Sequence, residues 1–573
     1  MKTLRGCLNR TLRCYSPVSR VFSMELMGYQ KKNRFVQQTG RVASSSSASS
    51  TVATTGGTLE ELCWKNVLVD SLPEDPNREN RVRQVEGAMY TKVQPTGTGT
   101  EPSLIMASES VAELIGLHPD EFARPEFAMV FSGNAAIPGS DPYANCYGGH
   151  QFGHWAGQLG DGRAISLGEV AEYGKDEARR WELQLKGAGK TPYSRMADGR
   201  AVLRSSLREY VASEAMAALH VPTTRALSFV ATGDAVLRDM FYNGNARMEP
   251  GAVVCRVARS FIRFGSFQLP ASRGDNAMVK TLADFVMKEY YPEASSYKEF
   301  FKTVAERTGR LVAEWHRVGF VHGVLNTDNM SILGDTIDYG PYGWMERFDP
   351  NFTPNTTDLP GRRYCFQAQP EIGQWNLLQL ARALVAAGLF DEDAAAEGIA
   401  AFGTSFVSHY NGTMARKLGL KEYDAELTSS LWQLMYDSQA DYTNTFRALG
   451  SMDLDEVLRD KCLPKQLKEC LGACGKDEEW LAWLHGYNRV IQGQGIRAEE
   501  RQQMQTMANP AIIPRNHVMV EIISQVEEGD YNALHEYMAC LRNPYSDENI
   551  RDEWKEPAPP EPRLGVELLS CSS

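Results

Sequence analysis

Hydrophobic and polar residues alternate along the chain with the periods of both strands and helices. Residues 181–185 (WELQL) have the period of two that is typical of a half-buried strand, which ends at Lys186. Residues 202–219 and 303–318 carry apolar side chains three to four positions apart, the spacing of helices with one buried face. Residues 253–264 permit either a strand or a helix. The pattern therefore predicts an α+β fold.

From residue 375 onwards the periodicity is mostly helical. It predicts helices over 375–389, 394–402, 423–436, 453–462, 478–490 and 518–541. The proline-rich residues 556–562 and the tail that follows them are predicted to be flexible. We therefore expect a C-terminal region built mainly from helices.

Residues 319–340 (GFVHGVLNTDNMSILGDTIDYG) predict a strand, a polar turn and a second strand. Protein kinases use the same order, a catalytic loop H-R-D-x-x-x-x-N followed by a short hairpin and D-F-G. When His322 is aligned with the first position of that loop, Asn329 and Asp338 fall on the two metal-binding positions. This alignment predicts a metal–nucleotide site.

One position of the alignment departs from the kinase pattern. Val324 stands where a kinase keeps its catalytic Asp, although an extra carboxylate, Asp328, stands beside Asn329. An ordinary polar turn between two buried strands would contain the same residue types. Both interpretations stay open on this stretch alone.

Glycines and a basic residue at 160–163 indicate a phosphate-binding loop. Gly160 and Gly162 would let backbone N–H groups approach phosphate oxygens, and Arg163 adds a planar cationic side chain. A tight hairpin would show the same short glycine pattern. The motif is therefore a hypothesis that needs support from other residues.

Lys186 stands where a kinase-like fold places the lysine that pairs with phosphates. Such a lysine needs a glutamate on the following helix, and both Glu209 and Glu214 qualify. A surface lysine beside a turn is the alternative. Arg256 and Arg263 could hold a polyphosphate, but they could equally be solvated.

The first 57 residues differ in composition from the rest of the chain. They contain nine Lys or Arg residues against one acid, Glu25, and they are rich in serine. This composition is typical of an organellar transit peptide, for which we expect a mitochondrial destination first and a plastid second. A disordered basic tail is the alternative.

The remaining residues are acidic and lack the marks of several classes of protein. The whole chain has a net charge of −12, which leaves about −20 on residues 58–573 and argues against nucleic-acid binding. No run of 18 apolar residues predicts a membrane span. The eleven cysteines lack the spacing of a disulfide framework, and Cys470 and Cys474 are expected to be ordinary thiols rather than half of a zinc site.

Long motifs in the same order resemble the selenoprotein O family of kinase-fold protein adenylyltransferases. They include YGGHQFGHWAGQLGDGRA from residue 147, LKGAGKTPYSRMADGRAVLRS from 185, HGVLNTDNMSILGDTIDYGP from 322 and QPEIGQWNLLQLARAL from 369. The resemblance implies a protein-kinase-like two-lobed fold with an additional, mostly helical C-terminal region. The expected parts are an N-terminal segment (58–145), an N-lobe-like nucleotide-binding region (146–265), a C-lobe-like catalytic region (266–440), a helical extension (441–555) and a flexible tail (556–573).

The resemblance also implies roles for matching residues. Asp328 would accept the substrate proton, and Asn329 and Asp338 would hold Mg²⁺. Glu209 would be the helical partner of Lys186. The residues implied to bind the nucleotide are Gly160, Gly162, Arg163, Lys186, Asp198, Gly199, Arg256, Arg263 and Asp338.

The implied activity is Mg-dependent transfer of AMP from ATP to Ser, Thr or Tyr hydroxyls of protein substrates, linked to mitochondrial redox homeostasis. In the family ATP sits inverted relative to ordinary kinases, which fits the displaced base. A kinase-like phosphotransferase and a catalytically inactive nucleotide-binding scaffold are the alternatives. No nucleic-acid partner is expected.

The C-terminus departs from the family's selenocysteine members, which end in Sec-Ser-Ser. This chain ends Cys571-Ser572-Ser573, and Leu568 stands where those members place a cysteine. A redox role of Cys571 would therefore need a distant cysteine. A flexible end with an incidental thiol is the alternative.

Overall fold

The computed structural model describes residues 56–174, 179–241, 243–472, 475–558, 565 and 568–570. The predicted leader up to residue 55 lies outside these ranges, as do Cys474 and Cys571. Within them the chain forms a mixed α/β fold with antiparallel sheets and many helices. The coarse α+β prediction is confirmed.

Most strands precede residue 260 and belong to one sheet. In chain order they are Tyr90–Lys92 (β1), Ser103–Ala107 (β2), Tyr143–Asn145 (β3), Gly148–Gln151 (β4), His154–Gln158 (β5), Ala164–Ala171 (β6), Arg180–Lys186 (β7), Ala201–Val202 (β8), Arg225–Arg238 (β9), Arg247–Ala258 (β10), Phe320–Val321 (β11) and Gly343–Trp344 (β12). The main sheet has the order β1-β3-β6-β7-β10-β9-β2, with β8 beside β10. Strands β4 and β5 form a separate hairpin, and β11 pairs with β12.

Most helices follow this sheet in the sequence. The α-helices are Val67–Ser71 (α1), Glu109–Leu114 (α2), Pro125–Phe131 (α3), Leu203–Ala218 (α4), Phe264–Ser272 (α5), Asn276–Tyr290 (α6), Tyr297–Val318 (α7), Gln369–Ala386 (α8), Glu392–Lys417 (α9), Ala425–Asp437 (α10), Tyr442–Ser451 (α11), Leu454–Asp460 (α12), Lys465–Cys470 (α13), Asp477–Gly493 (α14), Ala498–Ala508 (α15), Asn516–Glu527 (α16), Asn532–Leu541 (α17) and Asp552–Lys555 (α18). No helix in the described ranges combines the length and the apolar character needed to span a bilayer.

Strand β7 is buried on both faces, whereas its alternation predicted a half-buried strand. Leu183 and Leu185 pack into an apolar cluster on one face. On the other face Glu182, Gln184 and Lys186 are only 1 %, 0 % and 8 % exposed. This face is buried because charged and polar groups of neighbouring elements pair with its side chains. Alternation therefore marks a polar interior here, not a solvated surface.

Residues 518–541 form two helices instead of the single helix predicted. Helix α16 ends at Glu527, and α17 begins at Asn532. Gly529 between them has φ +88°, in the left-handed region that ends many helices, and Asp530 accepts the N–H of Asn532 at 3.0 Å. The apolar spacing continues through this turn, so periodicity did not show it. Both helices pack in one apolar cluster with α4 and the main sheet.

The second strand predicted within 319–340 does not form. Only residues 320–321 are a strand, and the chain then forms a turn containing a 3₁₀-helix, Thr327–Asn329. Ser331 and Thr336 make isolated bridges, and Asp338 has φ +59°, which takes the backbone out of the extended region.

Leu569 belongs to the tail that was predicted to be flexible. It is 2 % exposed, and its N–H donates to the Pro354 carbonyl at 2.7 Å. Its own carbonyl accepts the N–H of Thr356 at 2.7 Å. This residue of the tail is therefore packed against the region around residue 355.

A buried ion triad joins the C-terminal helices to the rest of the fold. The guanidinium of Arg515, just before α16, lies 2.8 Å from Glu346 Oε2 and 2.8 Å from Asp441 Oδ2. Asp441 also accepts the N–H of Asn444 at 2.7 Å in the first turn of α11, and Glu346 accepts the N–H of Ala558 at 2.8 Å. All three charged side chains are almost fully buried, so each depends on the others for its charge compensation.

We expect Arg515→Met to destabilise the protein by about 3–5 kcal/mol, because it leaves two buried carboxylates without their cation. The midpoint of urea unfolding, followed by tryptophan fluorescence, measures this loss. Arg459→Met is the matched control, since Arg459 pairs with Asp460 at an exposed position, and its midpoint should stay unchanged. An unchanged midpoint for Arg515→Met would show that the triad does not stabilise the fold.

Candidate active site

Five of the predicted site residues form one network of charges, in which Asp338 is partly exposed and the other four are buried. Lys186 Nζ lies 2.6 Å from Glu209 Oε2 and 3.6 Å from Asp338 Oδ1. Arg256 donates to Glu209 Oε1 at 3.1 Å and is also hydrogen-bonded to Asp338. Arg263 is hydrogen-bonded to the other oxygen of Asp338. Three cations thus share two carboxylates.

Strand geometry places the lysine and one arginine together. Arg256 on β10 lies directly opposite Gln184 on β7, and Lys186 lies opposite Val254. Side chains two positions apart on a strand share a face, so Gln184, Lys186 and Arg256 project to the same side of the sheet. Arg256 also donates to the side-chain oxygen of Gln184. Arg263 follows β10 and is the N-cap residue of α5.

Helix α4 supplies the glutamate partner of Lys186. Periodicity left Glu209 and Glu214 as alternatives, and the family resemblance implied Glu209. Glu214 instead pairs with Arg225 at 2.8 Å and accepts the hydroxyl hydrogen of Ser108 at 2.7 Å. The structure therefore pairs Lys186 with Glu209.

The carboxylate of Asp338 is held ionised. Burial acts to raise its pKa, but the charges of Arg263, Arg256 and Lys186 outweigh burial and hold the pKa well below its usual range. Burial lowers the pKa of Lys186, while the charges of Glu209 and Asp338 oppose that shift. Asp338 has a left-handed backbone conformation, which is uncommon for a residue other than glycine. Such conformations occur more often at functional sites than elsewhere.

Asp328 lies in the 3₁₀ turn and is 7 % exposed. Its Oδ2 accepts a hydrogen bond from Gln151 Nε2 at 3.1 Å, whereas its buried Oδ1 has no hydrogen-bond partner among the described residues. Burial raises the pKa of Asp328 to about 6, although the hydrogen bond from Gln151 acts to lower it. A buried carboxylate with one unpaired oxygen is suited to accept a proton from a bound hydroxyl.

Asn329 and Asp338 offer the oxygen donors that Mg²⁺ prefers. The amide nitrogen of Asn329 donates to the Val324 carbonyl at 2.8 Å, which fixes the orientation of the amide. The described ranges contain no group of three or more His, Cys, Asp or Glu side chains suited to a metal. Because Mg²⁺ commonly takes one or two protein ligands and completes its shell with phosphates and waters, this donor pair fits Mg²⁺ bound together with a nucleotide.

The glycine loop lies beside the end of β7. Gly160 has φ +101°, and a Cβ there would lie 2.5 Å from the Tyr193 ring. At Gly162 a Cβ would lie 2.9 Å from the Tyr193 carbonyl oxygen. The carbonyl of Arg163 accepts the N–H of Gly187 at 2.7 Å, which ties the loop to the residue after Lys186. Close packing therefore explains both glycines, whether or not they also approach phosphates.

Asp198 and Gly199 lie beyond Lys186 but are not hydrogen-bonded to the charged network within the described residues. Asp198 pairs with Arg238 of β9 at 2.7 Å. The carbonyl of Gly199 accepts the N–H of Gly189 at 3.1 Å, and a Cβ at Gly199 would lie 2.3 Å from the Gly189 backbone. The contacts of this turn are therefore with β9 and with the loop after Lys186.

Two residues of the network were not predicted from the sequence. Asp161 is 3 % exposed and lies 3.6 Å from Arg263 Nη2, and burial raises its pKa against the charge of that arginine. Gln184 accepts a hydrogen bond from Arg256. The alternation of 181–185 is a signal that could have identified Gln184. Asp161 lies in a glycine loop, where no periodic signal exists.

Comparison with known proteins identifies the family. The model of the family described as protein adenylyltransferase SelO matches residues 75–542. Similar proteins named protein nucleotidyltransferase YdiU occur in Aromatoleum aromaticum (48 % identical over 530 residues), Azoarcus sp. (47 % over 528) and Tolumonas auensis (45 % over 527). These alignments cover 89–90 % of this chain and 99–100 % of each relative.

The predicted mitochondrial localisation, with its plastid alternative, is wrong in the light of these relatives. They are bacterial proteins that match about nine tenths of the chain, and a bacterial cell contains neither organelle. The composition of residues 1–57 misled the prediction because basic, serine-rich segments are not specific to transit peptides.

The resemblance inferred from the sequence motifs is confirmed by both comparisons. The family model covers the residues of the charged network, from Lys186 to Asp338, and the relatives align over their whole length or nearly so. The chain therefore belongs to the SelO family and is a nucleotidyltransferase.

Proposed function

We propose that this nucleotidyltransferase moves AMP from ATP to Ser, Thr or Tyr hydroxyls of protein substrates and requires Mg²⁺. The observation that carries the proposal is the unpaired, buried Oδ1 of Asp328 next to the charged network. Arg263 joins the two, because it donates to the backbone carbonyl of Asp328 at 2.7 Å and is also hydrogen-bonded to Asp338. Arg263 thus links the proposed proton acceptor to the carboxylate that Lys186 and Arg256 also contact.

The proposed fold is a protein-kinase-like two-lobed arrangement. In it α4 and the sheet strands of 146–265 form the nucleotide-binding lobe, together with β1, β2 and β3, which precede residue 146 and belong to the same sheet, and 266–440 form the catalytic lobe. The pairing of a strand lysine with a helical glutamate supports this, as does the order of Asn329 and Asp338 in the chain. The helices of 441–555 and the tail 556–573 are additions to these lobes, whereas the segment 58–145 supplies three strands of the main sheet.

In the proposed reaction Asp328 accepts the hydroxyl proton while the hydroxyl oxygen bonds to the α-phosphorus and the bond to pyrophosphate breaks. Lys186, Arg256 and Arg263 stabilise the charge that develops on the phosphate oxygens. Mg²⁺ held by Asn329 and Asp338 would neutralise part of the triphosphate charge. The family resemblance supports further nucleotide contacts from Gly160, Gly162, Arg163, Asp198 and Gly199.

Val324 favours a second candidate function. It leaves the usual kinase Asp position without a carboxylate, as in an inactive nucleotide-binding scaffold. A scaffold, however, has no physical need for a buried carboxylate with an unpaired oxygen, since burying such a group costs stability. We therefore favour the enzyme.

Labelled ATP distinguishes these functions. We expect the purified chain, incubated with Mg²⁺ and casein as a generic hydroxyl-bearing acceptor, to attach label from the α-phosphate of ATP to itself or to casein. Adenylyl transfer carries the α-phosphorus, whereas a kinase carries only the γ-phosphorus. Mass spectrometry should find an AMP adduct on Ser, Thr or Tyr. Label from the γ-phosphate alone would indicate a phosphotransferase, and ATP binding without any label would indicate a scaffold.

Asp328→Asn tests the proton acceptor. It should lower the rate of transfer by about 10²–10⁴-fold, because an amide cannot take the hydroxyl proton. The Kd of ATP should change little, since the carboxylate is not expected to bind phosphate. Single-turnover rates and calorimetry measure the two quantities. A fully active Asp328→Asn protein would place the base elsewhere.

Asp338→Asn tests the metal site. It should abolish transfer and remove the Mg-dependent part of ATP affinity, because a neutral amide is a much weaker Mg²⁺ ligand than a carboxylate. Calorimetric titration of ATP with and without Mg²⁺ measures this. Asp335→Asn is the control in the same segment and should retain the Mg dependence. If ATP binding depended equally on Mg²⁺ in both variants, Asp338 would not be a ligand of the metal.

A further inference from the structure

The hairpin β4–β5 lies against the turn that carries Asp328. Three successive residues of the hairpin donate to that turn: His150 N–H to Thr327 Oγ1 at 2.7 Å, Gln151 Nε2 to Asp328 Oδ2 at 3.1 Å, and Phe152 N–H to Asn326 Oδ1 at 3.2 Å. The Thr327 hydroxyl in turn donates to Gln268 on α5 at 2.8 Å. The turn is therefore held between the hairpin and α5.

These contacts make the two oxygens of Asp328 unequal. Gln151 occupies Oδ2, whereas Oδ1 is buried without a hydrogen-bond partner in the described ranges. A Cβ at Gly149 would lie 2.6 Å from Oδ1. Any residue other than glycine would therefore occupy the space next to this oxygen. The hairpin thus forms a hydrogen bond with Oδ2 and leaves Oδ1 without one.

We propose that Gln151 is a positioning residue for adenylyl transfer. Its amide holds the Asp328 side chain in one orientation, so that Oδ1 is the atom that receives the acceptor hydroxyl's proton. This inference rests on the proposed role of Asp328 as the base. A proton acceptor works only within hydrogen-bond reach of the hydroxyl, and a displacement of about 1 Å can cost on the order of 10²-fold in rate.

Gln158, at the far end of the same hairpin, is a matched control. Its side-chain oxygen accepts the N–H of Val85 at 2.8 Å, and its nitrogen donates to the Arg83 carbonyl at 2.9 Å. The same oxygen also accepts from Arg273 at 3.1 Å, so these contacts hold the hairpin to residues 83–85 and to the end of α5, and none of them involves Asp328. Loss of Gln158 would therefore report only the general effect of loosening the hairpin.

The test is a double-mutant cycle on the full chain with Mg²⁺ and casein, using ATP labelled in the α- or the γ-phosphate. Gln151→Met keeps the side-chain length but removes the donor. It should lower kcat by about 10- to 100-fold and leave KM for ATP unchanged. In an Asp328→Asn background the same change should cost nothing further, because there is no carboxylate left to position. Gln158→Met should not reproduce this loss of kcat.

Other outcomes would contradict the inference, and each of them shows whether Gln151, Asp328 or adenylyl transfer itself was assigned wrongly. A fully active Gln151→Met protein, or a loss that is additive with Asp328→Asn, would assign Gln151 a merely structural role while Asp328 remained the base. A fully active Asp328→Asn protein would overturn the base and the positioning residue together. Transfer of the γ-label alone would contradict adenylyl transfer, yet the cycle would still show whether Gln151 acts through Asp328. No transfer by the unmodified chain would overturn both proposals.

Discussion

The carboxylate of Asp338 is shared by Arg256, Arg263 and Lys186, and this sharing brings four segments of the chain together. Lys186 comes from β7, Arg256 from β10, Arg263 from the start of α5 and Asp338 from the loop after β11. Both arginines are about 1 % exposed, and a buried guanidinium without a carboxylate would cost several kcal/mol. The sheet and the loop after β11 therefore cannot separate without leaving buried arginines without their carboxylate.

This arrangement also suits the proposed substrate. A triphosphate carries several negative charges, so its oxygens would replace Asp338 as partners of the two guanidinium groups. The carboxylate of Asp338 would then be available for Mg²⁺ beside Asn329. The same charges that hold the fold together in the absence of a ligand would thus bind the nucleotide, with no need for a separate set of cations.

The C-terminal helices contribute to the site although none of their residues lies in it. Helices α16 and α17 pack against α4, which carries Glu209. Arg208, the neighbour of Glu209, contacts the side chain of Asn516 at 3.3 Å and donates to the Tyr342 carbonyl at 2.8 Å. The position of the glutamate opposite Lys186 therefore depends on residues more than 300 positions away.

The sequence by itself determined the α+β class, about half of the α-helices in the described ranges and the order of the site motifs. Periodicity and motif spacing depend only on residues that are close together in the sequence. They can therefore be recognised without the tertiary structure. Lys186, Arg256, Arg263 and Asp338 could be singled out in this way, although the kinase pattern left alternatives open and only the family resemblance implied one role for each. The same local information misled where composition was unspecific, as in the leader, or where apolar spacing ran through a turn, as at Gly529.

Only the tertiary structure decided which of these residues meet. It paired Glu209 with Lys186, as the family resemblance had implied and periodicity could not decide, and it added Asp161 and Gln184 to the network. It also placed Gln151 on Asp328 across 177 positions of the chain. Hydrogen bonds between such distant residues leave no periodic pattern in the sequence. They form because burial of a polar group is tolerated only where another segment supplies its partner, and that condition is set by the packing of the whole chain.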